Sequence, residues 1–380
     1  MRNPYQFYAV VLPGLETIAA QELNHLSAHD IREDEGGVHF SGTLDSLYRI
    51  SLRARLITRI LLRVGKCHAM SAAELQHQIA RMRWEHVIPK GASITVKASS
   101  EHSKLTHSEQ TSEAVEAGIR EALGKRLQKS GDSQQTIYIH INNNRCDIRV
   151  DCSGERLDRR GYRLASAKAP IRETLAAGLL QWMGLKTEET LYVPMCGSGT
   201  FAIEAALIHQ RIAANIHHTF PFSDWDIFKE KDWQRVLERT IAMQTPACLK
   251  ISVSDLHEGA LQATQSNAKR AGVLSSLSII QQDIRHLKPQ ENHESGLIIC
   301  NPPYGLRIET EGEAFYQMLG SILKKEFNAW RIMVICPSWK HERALGMPVH
   351  RRLKVRHGGL WLDALDVSQK ETSAYKDGLL

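Results

Sequence analysis

A chain of 380 residues, 42% hydrophobic and 24% charged, has material for two or three domains with ordinary cores. A formal net charge of +6 with a pI near 8.9 permits a nucleic-acid partner without demanding one. No apolar run reaches the ~18 residues that a membrane-spanning helix needs, which excludes that class.

The chain opens on Met1-Arg2-Asn3-Pro4-Tyr5-Gln6, with no secretory apolar segment, so a cytoplasmic location is expected. Residues 1–65 read as a small α+β unit. Strands are predicted over 7–11, 38–40 and 57–64, and helices over 15–23 and 44–48. Arg49, Arg53, Arg55, Arg59, Arg63 and Lys66 follow one another without an intervening acid. Such a run reads as a solvated face or as an RNA contact, and both readings stand here.

Residues 66–155 form a second α/β module. A helix is predicted over 72–82, a strand over 93–97, a long amphipathic helix over 109–127, and a hairpin of strands 136–141 and 146–150. Between the first strand and the long helix, residues 99–108 are rich in hydroxyl and imidazole groups. They suit phosphate at a helix start, or are a polar loop with a serine cap. Residues 151–170 are a basic connector, with Leu157, Tyr162 and Leu164 available for packing.

From residue 171 helices alternate with short apolar runs, the pattern of a doubly wound sheet. A helix is predicted over 171–183, strands over 191–193, 249–253, 277–280, 297–300 and 332–336, and a closing hairpin over 353–362. In such sheets ligands bind beyond the carboxyl ends of the strands. Pro194-Met195-Cys196-Gly197-Ser198-Gly199-Thr200 follows the first strand and opens a helix. Its glycines admit a ligand close to the backbone, yet no lysine follows to make it a phosphate loop. Asp255 ends the second strand, where a carboxylate can take both hydroxyls of a ribose. Asp283 ends the third and can accept from an adenine amino group. The fourth breaks off into Asn301-Pro302-Pro303-Tyr304. Alone this is also a simple turn. As a site, it offers the Asn301 oxygen and a proline carbonyl as acceptors for a planar amino group, and Tyr304 as a stacking face. Together the features describe S-adenosyl-L-methionine and an amine acceptor. The seven scattered cysteines contain no C-x-x-C pair, so neither a disulfide framework nor a metal site is expected. Cys196 and Cys300 are expected to pack rather than react.

Asp151-Cys152-Ser153-Gly154, Arg159-Arg160-Gly161-Tyr162-Arg163, Ala169-Pro170-Ile171-Arg172-Glu173, the loop 194–200 and Asn301-Pro302-Pro303-Tyr304-Gly305 carry a wider pattern. In these segments the chain resembles the THUMP-domain RNA guanine-N2 methyltransferases, and the likeness covers nearly its whole length. The resemblance implies a ferredoxin-like unit, a THUMP RNA-binding module and, over residues 156–380, a class I (Rossmann-like) methyltransferase domain. It adds Pro170, Arg172, Glu173, Leu256 and Ile284 to the cofactor-binding set. It also implies ribosomal RNA of the large subunit as substrate, with transfer RNA in sister groups, and it accounts for the aromatic insertion 220–225. Where the family has an aspartate that helps hold the methionine end of the cofactor, this chain has Val193. Adenine N6 is the alternative acceptor, and a catalytically silent RNA-binding protein is the alternative of another class.

Overall fold

The computed structural model describes residues 4–128, 133–164, 170–186, 189–247, 251–289, 295–303 and 312–369. Its N-terminal elements are β1 (Tyr5–Val11), α1 (Glu16–His25), β2 (His29–Asp34), β3 (Gly37–Gly42), α2 (Leu44–Arg53) and β4 (Ile57–His68). They follow the βαββαβ order of a ferredoxin-like unit. Then come α3 (Ala72–Ala80), β5 (Ser93–Glu101), α4 (Ser108–Leu123), β6 (Gln134–Asn142) and β7 (Arg145–Asp151). All seven strands join one sheet, in the order β2-β3-β1-β4-β7-β6-β5.

The two N-terminal modules therefore share one continuous sheet. β4 runs four residues past its predicted end. Its first half pairs with β1 and its second half with β7, with a register shift between Arg63 and Gly65. Strand β2 is polar throughout except Ile31, and pairs at the sheet edge with β3 alone. The long helix ends at Leu123 because Gly124 adopts φ +52°.

The C-terminal part contains α5 (Glu173–Trp182), β8 (Leu191–Pro194), α6 (Thr200–His209), α7 (Glu230–Ala242), β9 (Ile251–Asp255), α8 (Glu258–Arg270) and β10 (Leu277–Gln281). It continues with β11 (Leu297–Cys300), α9 (Gly312–Glu326), β12 (Arg331–Cys336), α10 (Trp339–Leu345), β13 (Arg351–His357) and β14 (Leu360–Asp366). The sheet order is β10-β9-β8-β11-β12-β14-β13. The first five strands in that order run parallel, while β14 lies antiparallel to β12 and β13 closes the edge. This is the class I methyltransferase arrangement. Strands β8, β11 and β12 are buried along their whole length, as expected of parallel strands covered on both faces. Among the described residues no helix is long and apolar enough to cross a membrane.

The parts are fastened together by polar bonds. Arg55 is one of the run read as a solvated face or an RNA contact. Instead it is buried, and donates to the carbonyls of Leu207 (3.1 Å) and Ile212 (2.5 Å) in the methyltransferase part. Arg55 and Arg160 flank Glu204, which is fully buried on α6 and accepts a 3.0 Å bond from the Tyr162 hydroxyl. The described part of the connector is thus anchored by the buried Leu157 and Tyr162, although Leu164 stands 77% exposed and does not pack as expected. Phe222 of the aromatic insertion stacks on Phe220 and meets Tyr48 of α2, while Trp225 Nε1 donates to Gln135 of β6 at 2.9 Å. The insertion is therefore a clamp across all three regions. At the far end, the Arg356 amide of β13 donates to the Pro13 carbonyl at 3.0 Å. Gly14 is required there, because a Cβ would collide with the Lys354 carbonyl.

Candidate active site

Parallel pairing sets β8, β9, β10 and β11 with their carboxyl ends along one edge. Pro194 stands opposite Ser254, Asp255 opposite Gln281, and Ile298 opposite Tyr192. The loop after β8 bends sharply: Met195 takes φ +56°, Gly197 φ +56° and Gly199 φ +81°. Glycine is needed at 199, where a Cβ would come within 2.7 Å of the Thr264 side chain. At Gly197 an added Cβ would meet nothing within 4 Å, so that backbone faces open space. Gly199 caps α6, whose first N–H groups point towards the edge.

Asp255 is buried, and its carboxylate accepts from the amides of Gly197 and His257, each at 3.0 Å. One acid thus orders the glycine loop while its remaining lone pairs stay available. The neighbouring Leu256 is 55% exposed, an apolar wall beside that carboxylate. Asp283 lies two residues beyond β10 and caps the short 3-10 helix Ile284–His286. Arg285 binds it through side chain and backbone and holds its carboxyl down at about 2. Arg172 caps α5 without a side-chain bond, and Glu173 begins that helix, buried and paired with Arg163 at 3.0 Å. Burial pushes the Glu173 carboxyl up to about 7, against the opposing pull of Arg163. Val193 is buried in the core. Cys196 and Cys300 are buried, and burial raises both thiols, the first to about 12. They pack, as expected.

At the end of β11, Asn301 Oδ1 is shielded from solvent and has no hydrogen-bond partner among the described residues. Pro302 is buried and Pro303 exposed. Tyr304, assigned a stacking role from the sequence, lies outside the described residues. A buried amide oxygen left without a donor is costly unless a ligand supplies one.

Residues 160–364, more than half the chain, match the model of the RMKL-like methyltransferase domain. The chain belongs to the RMKL-like methyltransferase family. The model of the RlmL ferredoxin-like domain matches residues 6–61 and that of the THUMP domain residues 69–151. A Synechocystis sp. protein provisionally named an RNA methyltransferase is 34% identical, over 93% of this chain and 94% of its own length. Ribosomal RNA large subunit methyltransferase K/L of Syntrophotalea carbinolica is 29% identical over 95% of this chain, which spans only 53% of that longer protein. In fold, a provisionally named methyltransferase crystallised with S-adenosylhomocysteine matches with a TM-score of 0.89 at 24% identity. That match covers 98% of this chain and all of the other.

The cradle of this RMKL-like methyltransferase fits S-adenosyl-L-methionine. Gly197 leaves open space, Leu256 offers an apolar wall, Asp255 supplies a carboxylate at the end of β9, and Asp283 supplies another just beyond the adjacent β10. Among the described residues no cluster suited to a metal ion occurs. Sequence reasoning missed Thr264 and Asn267. From α8 they donate to the carbonyls of Gly197 and Ser198, each at 3.0 Å, and pin the loop from beneath. Their spacing of three on a helix, beside the buried Ala268, was the signal available. Of the loop predicted over 99–108, the first three residues belong to β5, which continues through Glu101, and α4 begins at Ser108 without a side-chain cap. Ser103 and Lys104 instead tie the remainder to the turn at Asn144.

Proposed function

We propose that the protein transfers a methyl group from S-adenosyl-L-methionine to the N2 amino group of a guanine in structured RNA, with large-subunit ribosomal RNA as substrate. The observation that carries this reading is the buried Asn301 oxygen at the end of β11, which has no hydrogen-bond partner among the described residues. The THUMP match and the names of the relatives support RNA as the class of acceptor.

When bound, S-adenosyl-L-methionine supplies an electrophilic methyl group on a sulfonium that departs as a neutral thioether. Asp255 would accept from its ribose hydroxyls and Asp283 from its adenine amino group, while Leu256 and Ile284 would border the purine. The loop 194–200, with Pro170, Arg172 and Glu173, borders its amino-acid end. The target guanine leaves its stack to reach the edge, and Tyr304 is assigned to stack on it. Asn301 Oδ1 and the Pro302 carbonyl accept from the amino protons. Those bonds aim the nitrogen lone pair and strengthen as the nitrogen gains positive charge. The proton passes to water after transfer, so orientation and not a strong base carries the rate.

Mass spectrometry of nucleosides from ribosomal and transfer RNA of a deletion strain tests the reading. N2-methylguanosine is expected to fall in large-subunit ribosomal RNA; a loss confined to N6-methyladenosine, or no loss, overturns it. Asn301→Ala is expected to lower turnover by about 10²–10³ while cofactor affinity changes by no more than a few fold. A variant with near wild-type turnover removes Asn301 from the site.

A further inference from the structure

We propose that Trp339 and Trp361, with Lys340, Lys354 and Arg356 around them, form a stacking surface for a single-stranded stretch of RNA beside the acceptor pocket. The inference rests on RNA being the methyl acceptor and adds to it the surface that grips the strand next to the reacting base.

Position is the first argument. β12 is the neighbour of β11, and β12 ends at Cys336, whose partner on β14 is Asp363. Trp361 stands two residues outward from Asp363, and Trp339 three residues beyond Cys336. Both therefore rise past the same carboxyl edge at which Asn301 ends β11. They also share a face. Arg352 bonds Glu342 of α10 at 2.6 Å and Asp363 at 3.2 Å, tying the helix that begins with Trp339 to the hairpin face that carries Trp361. Lys354 and Arg356 alternate on β13 with the buried Val355, and Arg356 is the cross-strand partner of Trp361.

Exposure is the second. Trp339 is 63% and Trp361 48% exposed, whereas Trp84, Trp225 and Trp330 are buried. Leaving two indoles in water forgoes a large burial gain, as surfaces that receive a ligand do. Charge is the third. Arg352 occupies both nearby acids, and none of Lys340, Lys354 and Arg356 has an acidic partner among the described residues. Lys354 Nζ already lies 5.4 Å from the centre of the Trp361 ring. Flat aromatic faces among uncompensated cations match a ligand with a polyanionic backbone and flat bases, which is single-stranded nucleic acid. An acidic protein surface offers the charge without the stacking faces.

The test is binding of a fluorescein-labelled, mixed-sequence single-stranded RNA of about a dozen nucleotides, a length within the usual range of such sites. It uses the full chain, with melting temperature and S-adenosylmethionine affinity as controls. Trp339→Ala and Trp361→Ala are each expected to weaken binding about tenfold, and Trp339→Phe to keep most of it. Lys354→Ala with Arg356→Ala is expected to reduce the salt slope by about 1.4. Wild-type affinity in both alanine variants overturns the surface while leaving RNA as the substrate, and passes this face to a protein partner. A wild-type chain that binds neither this oligonucleotide nor ribosomal RNA overturns both readings.

Discussion

The two seven-stranded sheets handle charge in opposite ways. On the open face of the N-terminal sheet, acids neutralise arginines at close range. Arg59 bonds Asp151, Arg63 takes Asp147 through two bonds at 2.9 and 3.0 Å, and Arg149 shares that carboxylate at 2.9 Å. At the carboxyl edge of the C-terminal sheet, polar capacity is left over. Asn301 Oδ1 has no hydrogen-bond partner, and Lys354 and Arg356 of the hairpin have no acidic partner, among the described residues. Counting basic residues along the chain therefore does not locate a binding surface; counting those left unpaired does.

The largest effect is expected where the two regions join. Glu204→Ala leaves the buried Arg55 and Arg160 without their acid, which is expected to cost about 3–5 kcal/mol in denaturant unfolding. A cost below about 1 kcal/mol would show that the joint does not depend on this charge.

Glu173 sharpens the contrast through pH. Its carboxyl titrates near 7 when folded and near 4.5 when unfolded. The folded state therefore holds its proton more tightly, and the destabilisation from ionising this group grows as pH rises from about 4.5 to 7. Glu173→Gln removes that dependence. It is expected to stabilise by about 3 kcal/mol at pH 8 and by little at pH 4, as read from melting curves. An equal effect at both pH values would place the titration elsewhere.

Asp255→Ala is expected to weaken S-adenosylmethionine binding by about 1.5–3 kcal/mol, since it removes a charged acceptor and unties Gly197. Isothermal calorimetry measures this, and unchanged affinity would mean that another carboxylate holds the ribose. The smallest effect belongs to the paired face. Asp147→Asn frees Arg63 and Arg149 without removing a side chain. It is expected to steepen the salt dependence of RNA binding by about one unit while lowering stability by about 1 kcal/mol. An unaltered slope would show that RNA does not visit this face even when its cations are released.

Much of the C-terminal sheet was legible because a parallel strand covered on both faces must be apolar throughout, as Leu297-Ile298-Ile299-Cys300 is. The site followed from the strand ends, where Gly197, Asp255 and Asn301 stand out against apolar runs. Strand β2 was not legible: His29-Asp30-Ile31-Arg32-Glu33-Asp34 lies at an edge and buries almost nothing. Nor was the burial of Arg55, because its partners Leu207, Ile212 and Glu204 lie some 150 positions further on. Isolated aromatics such as Trp339 carry no periodic signal at all; only the fold shows it standing exposed.

The backbone bond from Arg356 to Pro13 has a consequence in time. It joins the turn after β1 to the β13–β14 hairpin, so it cannot exist until the chain has been synthesised through Arg356. By then the N-terminal sheet, complete at Asp151, has its partners and can already be folded. The methyltransferase half can therefore assemble against a finished template. A chain cut short before β13 would retain that template but expose the bare edge of β12, a strand buried along its whole length and prone to pair with a neighbouring molecule.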